Sequence, residues 1–114
     1  MKTFFVDLDN LSSETFREVI GFILTVGLNF RKIDLIKADN AYRVLVIECA
    51  SKAEERGLKS FLDRHKVSEP IVIDSTNKAN LGFKRLGALK QLGTKQVNDF
   101  YLDKSTGKKF IIER

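Results

Sequence analysis

At 114 residues, with 43% hydrophobic and 31% charged residues, the chain has the composition of one globular domain and not of a disordered segment. One cysteine, Cys49, excludes an intramolecular disulfide, and with one histidine the chain lacks the donors of an ordinary zinc site, so a reducing, cytoplasmic setting is expected. The net charge of +5 is unevenly placed: residues 76–114 hold nine Lys or Arg against three Asp or Glu, residues 1–75 hold eleven against twelve, and no acid occurs from Ser75 to Asn98.

Thr3 to Leu8 alternates as a strand, with Phe4, Val6 and Leu8 on one face and Phe5 and Asp7 on the other. Ser12 or Ser13 is placed to cap a helix whose apolar residues Phe16, Val19, Ile20 and Ile23 recur at helical spacing as far as Gly27. The stretch from Phe16 to Phe30 is broken by Arg17, Glu18 and Asn29, too short and too polar to span a bilayer, and Asp7 and Asp9 interrupt any signal-peptide plan at the N-terminus. Lys32–Ala38 and Tyr42–Ala50 are rich in β-formers, and Asp39-Asn40 between them is turn chemistry, which predicts an antiparallel hairpin.

Ser51-Lys52-Ala53-Glu54 has the capping-box pattern of a second helix, with Leu58, Phe61, Leu62 and His65 along its apolar stripe. A short strand, Ile71–Asp74, follows Pro70. The order strand, helix, strand, strand, helix, strand predicts an α+β ferredoxin-like βαββαβ core over residues 1–75 of a single domain, 1–114. Residues 76–114 then read as an extension: a third, basic helix over Ala79–Leu92, and a terminal hairpin of Asp99–Leu102 and Lys109–Glu113.

In that arrangement Thr3–Leu8 and Tyr42–Ala50 are the central strands, a layout that resembles the RNA-recognition motif, in which strand aromatics stack bases. Phe5 and Tyr42 are the aromatics available for that role. The strand AYRVLVIECA lacks the glycine and paired aromatics of the motif's signature, and the alternative is that Phe5 and Tyr42 pack inside the protein.

A second resemblance lies in FFVDLDN, which is similar to the opening strand of PIN-like and NYN-type nuclease domains. KANLGFKRLGALKQLG (Lys78–Gly93) and FYLDKSTGKKF (Phe100–Phe110) are similar to later segments of that family. The resemblance implies a parallel α/β sheet whose clustered carboxylates hold Mg²⁺ or Mn²⁺ for phosphodiester hydrolysis, with Asp7, the pair Asp9 and Asn10, and Asp103 at the metal positions. Gly82 stands where the family has its central Asp. The other reading of Asp7, Asp9 and Asn10 is a strand end entering a turn, where such side chains satisfy backbone donors.

The basic third of the chain carries Lys78, Lys84, Arg85, Lys90, Lys95, Lys104, Lys108, Lys109 and Arg114, a one-sided charge that fits a polyanion. The expected function is therefore non-catalytic binding to RNA, DNA or a nucleoprotein, without a cofactor, and the metal-dependent ribonuclease or a degenerate descendant of it is the alternative. A third expectation is an interaction module or inhibitor that docks on a nucleic-acid enzyme, of the kind common by analogy among phage and mobile-element proteins. It rests on Phe22 and Val26, which lie off the first helix's apolar stripe, and on Leu28 and Phe30, which follow it; together they offer a surface for a partner or a homodimer.

Overall fold

The computed structural model describes residues 2–37, 40–67, 71–74, 84–90, 92, 97–102 and 109–113. The chain divides into two compact units, Met1–Asp34 with Tyr42–Glu69, and Leu35–Ala41 with Pro70–Arg114.

In the first unit, the period of two in KTFFVD makes β1 (Lys2–Asp7) a strand with Phe4 and Val6 on one face. β1 pairs antiparallel with β3 (Asn40–Cys49), so that Phe4 lies opposite Ile47 and Val6 opposite Leu45. β2 (Asn29–Lys37) flanks β3 on its other side, giving the strand order β1-β3-β2. Two residues separate β2 from β3, a connection that only antiparallel strands allow.

Two helices cover this sheet's Phe4 face. α1 (Ser13–Val26) contributes Val19 and Ile23, and α2 (Lys52–Arg64) contributes Leu58, Phe61 and Leu62, to one cluster with Phe4, Val6, Leu45, Ile47 and Cys49. Burying each such aliphatic or aromatic side chain is worth about 2 kcal/mol, which makes this cluster the main source of the unit's stability. Cys49 is fully buried within it, as expected for a small apolar residue.

Both helices begin on serine caps. The Ser12 hydroxyl accepts the Thr15 N–H at 3.1 Å, and the Ser51 hydroxyl accepts the Glu54 N–H at 3.2 Å. α1 stops at Gly27, whose φ of 83° is left-handed, and the N–H groups of Gly27 and Leu28 both donate to the Ile23 carbonyl. The two helices are joined by a ring column: Phe22 stacks on Phe61 at 4.4 Å between centroids, and Phe61 meets the His65 ring at 4.3 Å. His65 caps α2, and its Nδ1–H donates to Glu18 Oε2 on α1 at 2.8 Å.

The second unit is a four-stranded sheet in the order β4 (Ile71–Asp74), β7 (Lys109–Glu113), β6 (Val97–Leu102), β5 (Lys84–Lys90). The expected terminal hairpin is present as β6 and β7, which are antiparallel with Phe100 opposite Ile111. β5 adds antiparallel to β6 with an irregularity between Arg85 and Gly87, and β4 adds parallel to β7. Leu89, Phe100 and Ile111 are all fully buried, and the register places Leu89 on the same face as Phe100.

Three expectations are corrected. The ferredoxin-like plan seats its fourth strand beside β1, but β4 pairs with β7 in the other sheet; the apolar run Ile71–Ile73 lies in register with Phe110–Ile112, a partner that strand order alone does not reveal. The described part of the expected basic helix, Lys84–Lys90, is a strand. Leu86 and Leu89 suit a helical spacing, but Gly87 disfavours a helix by about 1 kcal/mol, and β6 supplies the strand with a hydrogen-bonding partner. The parallel sheet implied by the nuclease resemblance is not what β1 enters, since its ladder with β3 is antiparallel. The molecule is thus a mixed α+β protein, and among the described residues no helix is long and apolar enough to cross a membrane.

Candidate functional site

β1 ends at Asp7, and its side chain begins the next element. Asp7 Oδ1 accepts the Asp9 N–H at 3.1 Å and Asp7 Oδ2 accepts from Asn10 Nδ2 at 2.8 Å, which closes a single 3₁₀ turn over Leu8–Asn10. Asp7 is only 8% exposed, so these bonds compensate the removal of its carboxylate from water.

Asp9 points to β3 instead. Its Oδ2 accepts the Arg43 backbone N–H at 3.1 Å, and its Oδ1 lies 3.4 Å from Arg43 Nε. Of the three acids carried over from the nuclease resemblance, Asp7 and Asp9 therefore hold a turn and tie it to a neighbouring strand, while Asp103 lies outside the described residues. Among the described residues, no three acidic, histidine or cysteine side chains come together in a way that could hold a metal ion.

The same strand end carries cations that sequence reasoning missed. A cavity of about 420 Å³ is lined by Arg17 from α1, Lys32 from β2 and Arg43 from β3, with Leu8, Leu11 and Phe16 as apolar wall and Ser12 and Ser13 at the helix start. The Lys32 side chain has only a long contact of 3.9 Å to Asp34, both half-exposed, and the side chains of Arg17 and Ser13 have no polar partner among the described residues. These three cations are 15 and 11 positions apart within residues 1–75, whose charges nearly cancel, so only strand pairing and the crossover of α1 assemble them. A second, open hollow on α2, lined by Arg56, Lys59, Ser60, Asp63 and Arg64, is drawn from one helix, with Lys59 3.9 Å from Asp63. It has the character of an ordinary solvated face.

In the second unit, Lys84, Arg85 and Lys90 all fall on β5, the outer strand, opposite Leu102, Tyr101 and Val97 of β6. Lys90 is exposed and Lys109, at the start of β7, is partly buried. Lys78, Lys95, Lys104, Lys108 and Arg114, together with Gly82, lie outside the described residues. β6 also holds a buried carboxylate, Asp99, 6% exposed and in register with Ala88 and Ile112, which the sequence pattern did not single out.

Of the two aromatics considered for base stacking, Phe5 is 2% exposed and Tyr42 half-buried. Phe5 therefore presents no platform, a correction to the resemblance with the RNA-recognition motif, because Val44 and Val46 on the same sheet face are buried with it. Around α1, Phe22 is occupied with Phe61 and Leu28 is buried, so the surplus apolar surface reduces to Leu24, Val26 and Phe30.

No known protein family, no curated protein and no solved structure matches the chain.

Proposed function

We propose that the protein is a small, non-catalytic nucleic-acid-binding protein that engages the phosphate backbone through the basic residues of its second unit. The observation that carries this reading is the position of Lys84, Arg85 and Lys90 on an outer strand, within 24 consecutive residues that contain no acid. Charges on an edge strand also prevent edge-to-edge aggregation, but that task is served by either sign. A uniform positive sign is what a polyanion selects, and phosphate contacts of this kind give affinity without sequence preference.

The experiment is fluorescence anisotropy of labelled single- and double-stranded RNA and DNA titrated with the protein at low and moderate salt, with Mn²⁺ present and the oligonucleotides checked for cutting afterwards. Binding that weakens steeply with salt and is lost on joint charge reversal of Lys84, Arg85 and Lys90 supports the proposal. Undiminished binding by that variant overturns the assignment of the surface, and Mn²⁺-dependent cutting overturns the non-catalytic reading in favour of the nuclease.

A further inference from the structure

We infer that the cavity at the end of β1, in the first unit, is a binding site for the terminal phosphate of a nucleotide, separate from the β5 surface. The sequence points the other way, since β1 ends in Asp7 and the turn after it holds Asp9. The structure neutralises that end: Asp7 is turned into its own 3₁₀ turn, and Asp9 is held by Arg43. Cations from three different elements line the cavity: Arg43 is shared with Asp9, Lys32 is held by Asp34 only at 3.9 Å, and Arg17 on α1 brings a charge with no ion pair among the described residues.

Cations from separate elements converging on one concavity are unlike the periodic charges of a solvated helix face. An anion would give Arg17 a partner and Lys32 a closer one, and a terminal phosphate, with up to two charges and three acceptor oxygens, can take donors from several directions at once. The side chains of Arg17 and Ser13 have no polar partner among the described residues, so binding there need not break an existing side-chain interaction. The Ser12 hydroxyl is already committed to Thr15, which leaves Ser13 as the hydroxyl donor.

The rest of the wall decides what carries the phosphate. Leu11 and Phe16 are half-buried beside the cations and Leu8 is buried, so the cavity has an apolar side as well as a charged one. A volume of about 420 Å³ exceeds what a bare anion fills and lies in the range of small-molecule sites. A base or ribose against Phe16 uses that space, since an aromatic ring stacks on any base. The chemistry recognised is the phosphate monoester on a nucleoside, whether free or at the end of a strand.

The test is ¹H–¹⁵N NMR of the full chain titrated with adenosine 5′-monophosphate, and in parallel with adenosine and with inorganic phosphate. Expected are saturable shifts at the amides of Ser12 to Arg17, Lys32 and Arg43, with a dissociation constant on the order of 1 mM or tighter, and at least tenfold weaker binding of adenosine and of inorganic phosphate. R17E/K32E should reduce the affinity at least tenfold, and K84E/R85E/K90E should leave it unchanged. Arg17→Gln, a milder change at an exposed helix position, serves the same purpose should the double variant not fold.

Saturable binding whose shifts fall on β5, equal affinity for inorganic phosphate, or no saturable binding overturns the inference. A 5′-phosphorylated and a 5′-hydroxyl oligonucleotide then separate the two sources. A preference for the phosphorylated end that R17E/K32E erases assigns the site to strand ends, and nucleotide binding without that preference assigns it to free nucleotides. Because the two charge-reversal variants alter different units, failure of this inference and failure of the proposal for β5 read out separately.

Discussion

Asp7 and Asp9 are two positions apart and chemically alike, yet the fold gives them different tasks. Asp7 is nearly buried and accepts two hydrogen bonds from its own turn, whereas Asp9 is more exposed and reaches across to Arg43. Removing a cap of this kind leaves the Asp9 N–H and the Asn10 amide without their acceptor, so Asp7→Ala should destabilise the protein by about 2 kcal/mol. Asp7→Asn retains an acceptor for the Asp9 N–H and should cost less than half of that; urea midpoints of the two variants, measured without divalent ions, check the ordering. Equal stability of all three proteins would show that the turn does not depend on the Asp7 carboxylate. His65 and Glu18 form a second residue-scale link, between α2 and α1. Both are partly exposed, so a double-mutant cycle on the pair should return a coupling of about 0.5–1 kcal/mol.

Helix boundaries were legible because they are local. Ser12, Ser51 and Gly27 act within a turn of their own position, and each sits where its chemistry predicts. Gly27→Ala places a side chain at a φ of 83° with open space around it, so the cost is conformational alone, about 1 kcal/mol, and a thermal melt should register it as a shift of a few degrees. β5 has no such local signature, because Lys84–Lys90 is a strand only by virtue of β6. Cross-strand nuclear Overhauser effects between Leu89 and Asn98 should be present in the free protein, and sequential helical connectivities over 84–90 in their place would restore the helix. The exchange of β4 from one sheet to the other has the same origin, because a four-residue strand with three apolar residues does not specify its neighbour.

At the scale of the whole molecule, charge and hydrophobicity answer different questions. Binding through the acid-free segment predicts a linear fall of the logarithm of the affinity with the logarithm of salt concentration, and reversing Lys84, Arg85 and Lys90 should flatten that slope by about 2–3 if each neutralises one phosphate. An unchanged slope would place the phosphate contacts elsewhere. Leu24, 65% exposed, Val26 and Phe30 are the large apolar side chains left at the surface among the described residues. Leu24 and Val26 lie on α1 and Phe30 on β2, while Phe22 is stacked on Phe61 and Leu28 is buried. Of the four residues behind the interaction-module expectation, Val26 and Phe30 are exposed, and Leu24 is a third exposed apolar side chain that the expectation did not include.

The sequence by itself determined the α+β class, both helices with their caps, the β2–β3 pair, the terminal hairpin and the burial of Cys49. Each of these follows from residues that are close along the chain or from a periodicity that a few residues establish. Only the tertiary structure decided which sheet β4 joins, that Lys84–Lys90 extends as a strand, that Phe5 is buried, and that Arg17, Lys32 and Arg43 meet over the turn held by Asp7. Those outcomes depend on partners far apart in sequence, and neither a local propensity nor a running charge count carries that information.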